Sequence, residues 1–183
     1  MESLEGHLLV ASPHLADPNF ARTVVLMIQH NDEGAVGVVL NRPSEHSLRD
    51  IWEKVSDKPC TLACRLRLGG PVGGQLMAIH TNRDVSEKEI VTGVFFSTNK
   101  DALEAIVDGA DEPFYILTGY AGWAGGQLEE ELKTGSWLTV PATYEYVFYG
   151  DEDIWKQVAR DIGNEILLSS VKIKHVPEDP SVN

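Results

Sequence analysis

The sequence is poor in most features that would announce a function. It has two cysteines in 183 residues, too few for a disulfide framework. No run of about 18 apolar residues occurs, so no segment reads as a membrane-spanning helix. The opening, Met1-Glu2-Ser3-Leu4-Glu5, is acidic where a secretory leader would be basic. Cations are scarce too: 15 Lys and Arg stand against 28 Asp and Glu, for a formal charge of −13. Phosphate contacts dominate nucleic-acid affinity, so this balance argues against a protein that holds a polyanion by charge. H-E-x-x-H, the G-x-S-x-G elbow, G-x-G-x-x-G and the P-loop are all missing. The expectation is a soluble, cytoplasmic protein without a membrane partner.

What is present is apolar bulk, 43% of the chain, in a length typical of one domain. No linker or repeat divides residues 1–183, and the polar tail from about residue 176 reads as frayed. Gly6–Ala11 reads as a strand. Arg22–His30 carries Val24-Val25-Leu26-Met27-Ile28, an apolar run expected of a strand covered on both faces. Asn31-Asp32-Glu33-Gly34 then turns the chain into a partner strand, Ala35–Leu40.

Ser47 and Asp50 form a capping box that opens a short helix bearing Leu48, Ile51, Trp52 and Val55 on one face. Leu76–His80 and Ile90–Phe96 read as strands. Thr98–Asp101 reads as a second capping box, before a helix that Gly109 stops. Strand Pro113–Thr118 runs into a glycine loop, Gly119–Gly126, followed by helix Gln127–Lys133 and strand Ser136–Val140. The last helix spans Asp151 to about Ile162. Strands in adjacent runs, without strict βαβ alternation, predict an α+β fold with a mixed, largely antiparallel sheet.

Four features could carry chemistry. The Gly119–Gly126 loop joins a strand to a helix, where backbone N–H groups can cradle phosphate. Glu129, Glu130 and Glu131 just beyond it would repel that phosphate, so a tight turn anchored by Tyr120 and Trp123 is the simpler reading. Cys60-x3-Cys64 lacks a second ligand pair nearby, and buried free thiols are common. Neither a metal nor a cofactor is expected. His14 with Asp17, or His30 with Asp32, could converge on a metal or act as a base, but each equally suits a strand end or turn. Arg42 directly follows a buried strand and Arg22 precedes its partner. Together they could bind an anion, or pair with the abundant carboxylates.

Three ordered motifs resemble the YqgE/AlgH family. The first runs from Ala11-Ser12-Pro13 through Asp17-Pro18-Asn19-Phe20 and Arg22-Thr23-Val24 to Gly34–Pro43, which contains Asn41-Arg42-Pro43. The second is Gly69-Gly70-Pro71-Val72 with His80. The third is Gly119-Tyr120-Ala121-Gly122-Trp123 with Gly126-Gln127-Leu128-Glu129, Leu132 and Trp137. The likeness spans about Gly6 to Ser170; Gly73-Gly74 and the Cys60/Cys64 pair depart from it. It implies a strongly coiled, partly barrel-like sheet surrounded by helices in a bacterial cytosolic protein. It carries a transcriptional-regulator label, after a link to alginate production, but no catalytic residues.

Three functions follow in order of expectation. The first is a non-catalytic binding or interaction protein with an unidentified protein partner and at most an indirect role in gene expression. The second is a small-molecule binder or enzyme with a pocket near Asn41, Arg42, Gly69, Gly70, Pro71, Tyr120 and Trp123. The third, a direct DNA-binding regulator, is not expected, because the longest basic cluster is only Lys172-Ile173-Lys174-His175. The sequence assigns neither catalytic residues nor an oligomeric state.

Overall fold

Residues 2–56, 58–60, 62, 65–109, 113–150 and 153–172 are described by the structure, a computed structural model. In chain order the strands are β1 (His7–Ala11), β2 (Val24–Asn31), β3 (Gly34–Val39), β4 (Pro43–Ser47), β5 (Arg65–Leu68), β6 (Val72–His80), β7 (Lys88–Val91), β8 (Val94–Ser97), β9 (Phe114–Ala124) and β10 (Trp137–Pro141). The helices are α1 (Leu48–Val55), α2 (Lys100–Asp108), α3 (Gln127–Lys133), α4 (Tyr144–Phe148) and α5 (Ile154–Lys172).

The ten strands make one coiled sheet ordered β10-β1-β2-β3-β9-β6-β8-β7, with β5 also on β9 and β4 on β5. Among the described residues only the β5/β9 pairing is parallel, so the mixed, largely antiparallel α+β class expected from the sequence is the one observed.

Side-chain alternation explains how one sheet serves three cores. Leu8 and Val10 of β1, with Val24, Leu26 and Ile28 of β2, face a core shared with Met77, Ile79, Leu117, α4 and α5. Leu9, Ala11, Val25 and Met27 face the other way, onto Leu128 of α3 and Trp137. The far half of the sheet puts Leu66, Leu76, Ala78 and Ile116 under α1 and α2, against Leu48, Trp52, Leu103 and Ile106. Full burial of both faces accounts for the unbroken apolar run in β2.

The pivot is Gly119 in β9. Before it, Tyr115 and Leu117 face the shared core; after it, Tyr120 does, while Ala121 and Trp123 face α3. The in/out phase inverts at a residue with φ +73°, a left-handed conformation that glycine adopts at little cost.

Several sequence expectations hold in detail. Asn31 pairs Gly34 across the predicted turn. The Ser47–Asp50 capping box has both reciprocal bonds. Gly109 caps α2.

Others are corrected. The glycine stretch Gly119–Ala124 is strand rather than loop, and only Gly125-Gly126 turns. Ile90–Phe96 is not one strand but the β7–β8 hairpin, bent at Thr92-Gly93 with Gly93 at φ +79°. The cap of α2 is Asn99, not Thr98, because the carboxylate of Glu87, just before β7, accepts the Thr98 and Asn99 backbone N–H groups. The last helix continues through Gly163 to Lys172. The predicted helix start at Asp151-Glu152, Cys64, and the tail with Ile173, Lys174 and His175 lie outside the described residues.

Candidate functional site

The predicted site residues gather where β9 exchanges neighbours. β5 pairs with β9 at Leu117 and Thr118, and β3 pairs with it from Ala121 to Ala124. Between them the chain passes through Gly69 and Gly70. Gly69 N–H donates to the Thr118 carbonyl at 2.8 Å, and its own carbonyl accepts from Val39 N–H at 2.7 Å. A Cβ on Gly70 would fall inside the van der Waals radius of the Tyr120 backbone, and one on Gly69 would strike the Gly119 carbonyl. A Cβ on Gly119 would lie 2.8 Å from the Gly70 carbonyl oxygen. The second and third glycine motifs are thus two halves of one backbone-to-backbone contact.

Asn41 is spent on the fold. Its Oδ1 accepts from Val24 N–H and its Nδ2 donates to the Arg22 carbonyl, both at 2.9 Å, so the side chain extends the strand ladder at the start of β2. The Arg22 backbone is left-handed at φ +57°, rare for a side chain of this size.

Arg42 reaches the loop before β2. Its Nη1 donates to the Pro18 and Asn19 carbonyls at 3.2 and 2.6 Å, and its Nη2 donates to the Ala21 carbonyl at 3.5 Å. The two arginines therefore do not converge on one anion: the Arg22 guanidinium lies 5.8 Å from the Trp155 ring centroid instead. Nor does either make an ion pair with a carboxylate among the described residues.

Beside Arg42 is a cleft of about 160 Å³ lined by Asn19, Val39, Arg42, Leu68, Gly70 and Pro71. Leu68 in this lining is 39% exposed, and Val72, next to Pro71 in the chain, is 40% exposed. From Val72 to Leu76, β6 is irregular and its first residues are exposed; a Cβ on Gly73 would meet nothing within 4 Å. Tyr120 and Trp123 do not line this cleft. They face opposite sides of β9, Tyr120 over Gly74 and Gly122, Trp123 under α3.

The candidate catalytic side chains are occupied elsewhere. His30 meets not Asp32 but Glu129. Leu4 N–H donates to Nδ1 at 3.0 Å, so Nε2 carries the proton and donates to the Glu129 carboxylate at 2.7 Å. A backbone N–H and then His30 hold the Glu129 carboxyl below the usual carboxylate range. His14 is exposed, and Asp17 accepts from Asn19 N–H at 2.8 Å.

Sequence reasoning singled out His80 only as a motif residue. Its Nε2 lies 2.9 Å from Ser97 Oγ, and that hydroxyl donates to the Val85 carbonyl. The pair resembles a nucleophile and base, yet His80 and Ser97 are 1% and 0% exposed, so no substrate reaches them. Burial pushes the His80 imidazole down to about 4, against weaker opposing effects of the Asn82 backbone and Glu87. Among the described residues no three of His, Cys, Asp and Glu converge to hold a metal ion. Cys60 is a buried free thiol. No described helix is long and apolar enough to cross a membrane.

Comparison with known proteins gives a consistent result. The family model described as AlgH-like matches residues 8–167. A UPF0301 protein of Idiomarina loihiensis is 37% identical over 96% of this chain and 100% of its own. One from Chlorobaculum tepidum is 38% identical over 97% and 95%. The solution structure of the AlgH protein from Pseudomonas aeruginosa superimposes with a TM-score of 0.73 at 34% identity, covering 96% of each chain. A crystal structure of a Corynebacterium diphtheriae protein gives 0.69 at 27% identity, over 88% of this chain and 87% of the other.

Proposed function

The chain belongs to the AlgH-like family, and we propose that it is a non-catalytic protein-interaction module whose contact surface is the rim of the Arg42 cleft. One observation carries this reading: Leu68 and Val72 have part-exposed apolar side chains near the cleft, on a segment whose backbone is closely packed at Gly69 and Gly70 and exposed from residue 72 to 75. A rigid base with an exposed apolar tip suits partner contact. His30 and Asn41 are committed to internal bonds, and His80 and Ser97 are buried.

We place the protein in the cytoplasm. Any effect on gene expression runs through its partner, since a charge of −13 opposes approach to DNA. A photo-crosslinking amino acid at Val72, tested in cells against the same group at exposed Tyr149, checks the proposal. A discrete adduct from Val72 alone, lost on Leu68→Asp, is the expected result. Absence of an adduct would overturn it, as would native mass spectrometry showing a co-purified small molecule in the cleft. The latter outcome favours the small-molecule alternative.

A further inference from the structure

We propose that the Arg42 cleft reads a carboxylate, and that its occupant is an acidic peptide segment of a partner protein in which Asp or Glu is flanked by apolar residues. This rests on the interaction reading above and names the chemistry of the partner.

The cleft lining holds one cation and no carboxylate. A guanidinium has five N–H groups. Three hydrogen bonds to the Pro18, Asn19 and Ala21 carbonyls fix its plane, leaving N–H groups on Nε and Nη2 without an acceptor among the described residues. Gly70 N–H and the Asn19 side-chain amide, both in the lining, also donate to nothing among the described residues. Arg42 and Gly70 thus supply unspent donors to the cleft, which suits an oxyanion.

Among the described residues Arg42, like Arg22, lacks the carboxylate partner that six other cations of the protein have. Lys58, Arg83, Lys88, Lys100, Lys133 and Lys156 each pair with Asp or Glu, whereas Arg42 makes no ion pair among the described residues. In a chain with 28 acidic residues, a positioned guanidinium facing a cleft without a carboxylate is electrostatically incomplete.

Size and surroundings select the source of the carboxylate. About 160 Å³ is below the roughly 300–1,000 Å³ of ordinary small-molecule sites, but it admits one acidic side chain. Leu68, Pro71 and Val72 around the opening offer apolar contact to the flanking residues of a peptide. A polyanion would meet the field of the whole acidic surface, whereas one carboxylate is governed by the local donors.

The test follows the Gly70 and Asn19 amide signals of the ¹⁵N-labelled full chain. The probes are an acetylated, amidated pentapeptide alternating leucine and glutamate, its glutamine counterpart, sodium acetate and inorganic phosphate. The glutamate peptide is expected to bind at least tenfold more tightly than the glutamine peptide or either free anion. Leu68 has a partly exposed side chain at the opening, so Leu68→Asp and Leu68→Lys lose the same apolar contact and differ in the charge they add. Leu68→Asp should bind the glutamate peptide at least tenfold more weakly than Leu68→Lys does.

Equal binding of the two peptides overturns the proposal, as does a Leu68→Lys variant that binds the glutamate peptide no better than Leu68→Asp does. Acetate or phosphate matching the peptide assigns the cleft to free anions and overturns the peptide source. Silence from every probe overturns it as well. In that case the Val72 adduct decides independently whether the broader interaction reading stands.

Discussion

The indoles of Trp123 and Trp137 donate to the same carboxylate oxygen. Both Nε1–H groups point to Glu131 Oε2, at 3.0 and 2.8 Å, and the rings meet edge to face at 6.0 Å. Phe20 packs against both, so a loop, two strands and a helix are tied together by one acidic side chain. Gln127 Nε2 donates to the second oxygen at 2.9 Å and fixes the carboxylate plane. The Glu129–Glu131 run that argued against phosphate binding therefore has structural work: Glu129 meets His30, and Glu131 meets the two tryptophans.

Replacing Glu131 by Leu should cost about 3 kcal/mol, because two buried indole donors lose a charge-assisted acceptor. Glu131→Gln keeps an acceptor oxygen and should cost about 1 kcal/mol. Urea unfolding followed by tryptophan emission measures both, and equal losses would contradict the shared-acceptor account.

Neighbouring glycines should respond very differently. Gly70→Ala forces a Cβ into the Tyr120 backbone, which has no flexible end to move aside; a loss above about 4 kcal/mol is expected. Gly73→Ala meets nothing within 4 Å and should stay within about 0.5 kcal/mol of the parent. Thermal unfolding of the two variants side by side separates a packing glycine from an unconstrained one.

His80 should make the fold acid-sensitive. Its imidazole titrates near 6.5 when unfolded and about 4 when folded, because burial disfavours the cation. Above pH 6.5 both states hold it neutral. As pH falls from 6.5 toward 4, only the unfolded state takes up the proton, so stability declines by about 3 kcal/mol and then levels off. The His80→Leu variant should lose that part of the pH dependence whatever its stability at pH 8. An unchanged slope between pH 6.5 and 4 would refute the assignment.

Arg42→Ala removes three bonds to the carbonyls of residues 18, 19 and 21, and should cost about 2 kcal/mol. The loop then releases Phe20, so the Trp123 and Trp137 emission should shift to the red before global unfolding. Asn41→Ala leaves Val24 N–H and the Arg22 carbonyl unpaired and should cost a similar amount, about 2 kcal/mol.

Local chemistry was largely legible from the residues. The β2–β3 hairpin, the Ser47 capping box and the Gly109 stop are decided by neighbours a few positions apart, and all three stand. Where a local signal competed with a distant one, the distant one prevailed: Glu87, eleven residues before Thr98, displaced the expected cap. Glycine in Gly119–Ala124 looked like loop because its freedom is visible in sequence, whereas the backbone it must approach is not. Of the predicted site residues, Arg42, Gly70 and Pro71 line one cleft, Asn41 and Gly69 bond within the sheet beside it, and Tyr120 and Trp123 belong elsewhere.

The sequence by itself determined the unbroken apolar runs of β1 and β2, the Asn31–Gly34 turn, the Ser47 and Gly109 caps and the acidic balance, since these depend on residue type and short spacing. Only the tertiary structure decided that His30 meets Glu129 across 99 positions, that Gly69-Gly70 crosses Gly119-Tyr120, and that Arg42 closes a loop while lining a cleft. Those relations depend on where the coiled sheet brings distant strands together, and β9 changes partners and inverts its faces at a single left-handed glycine.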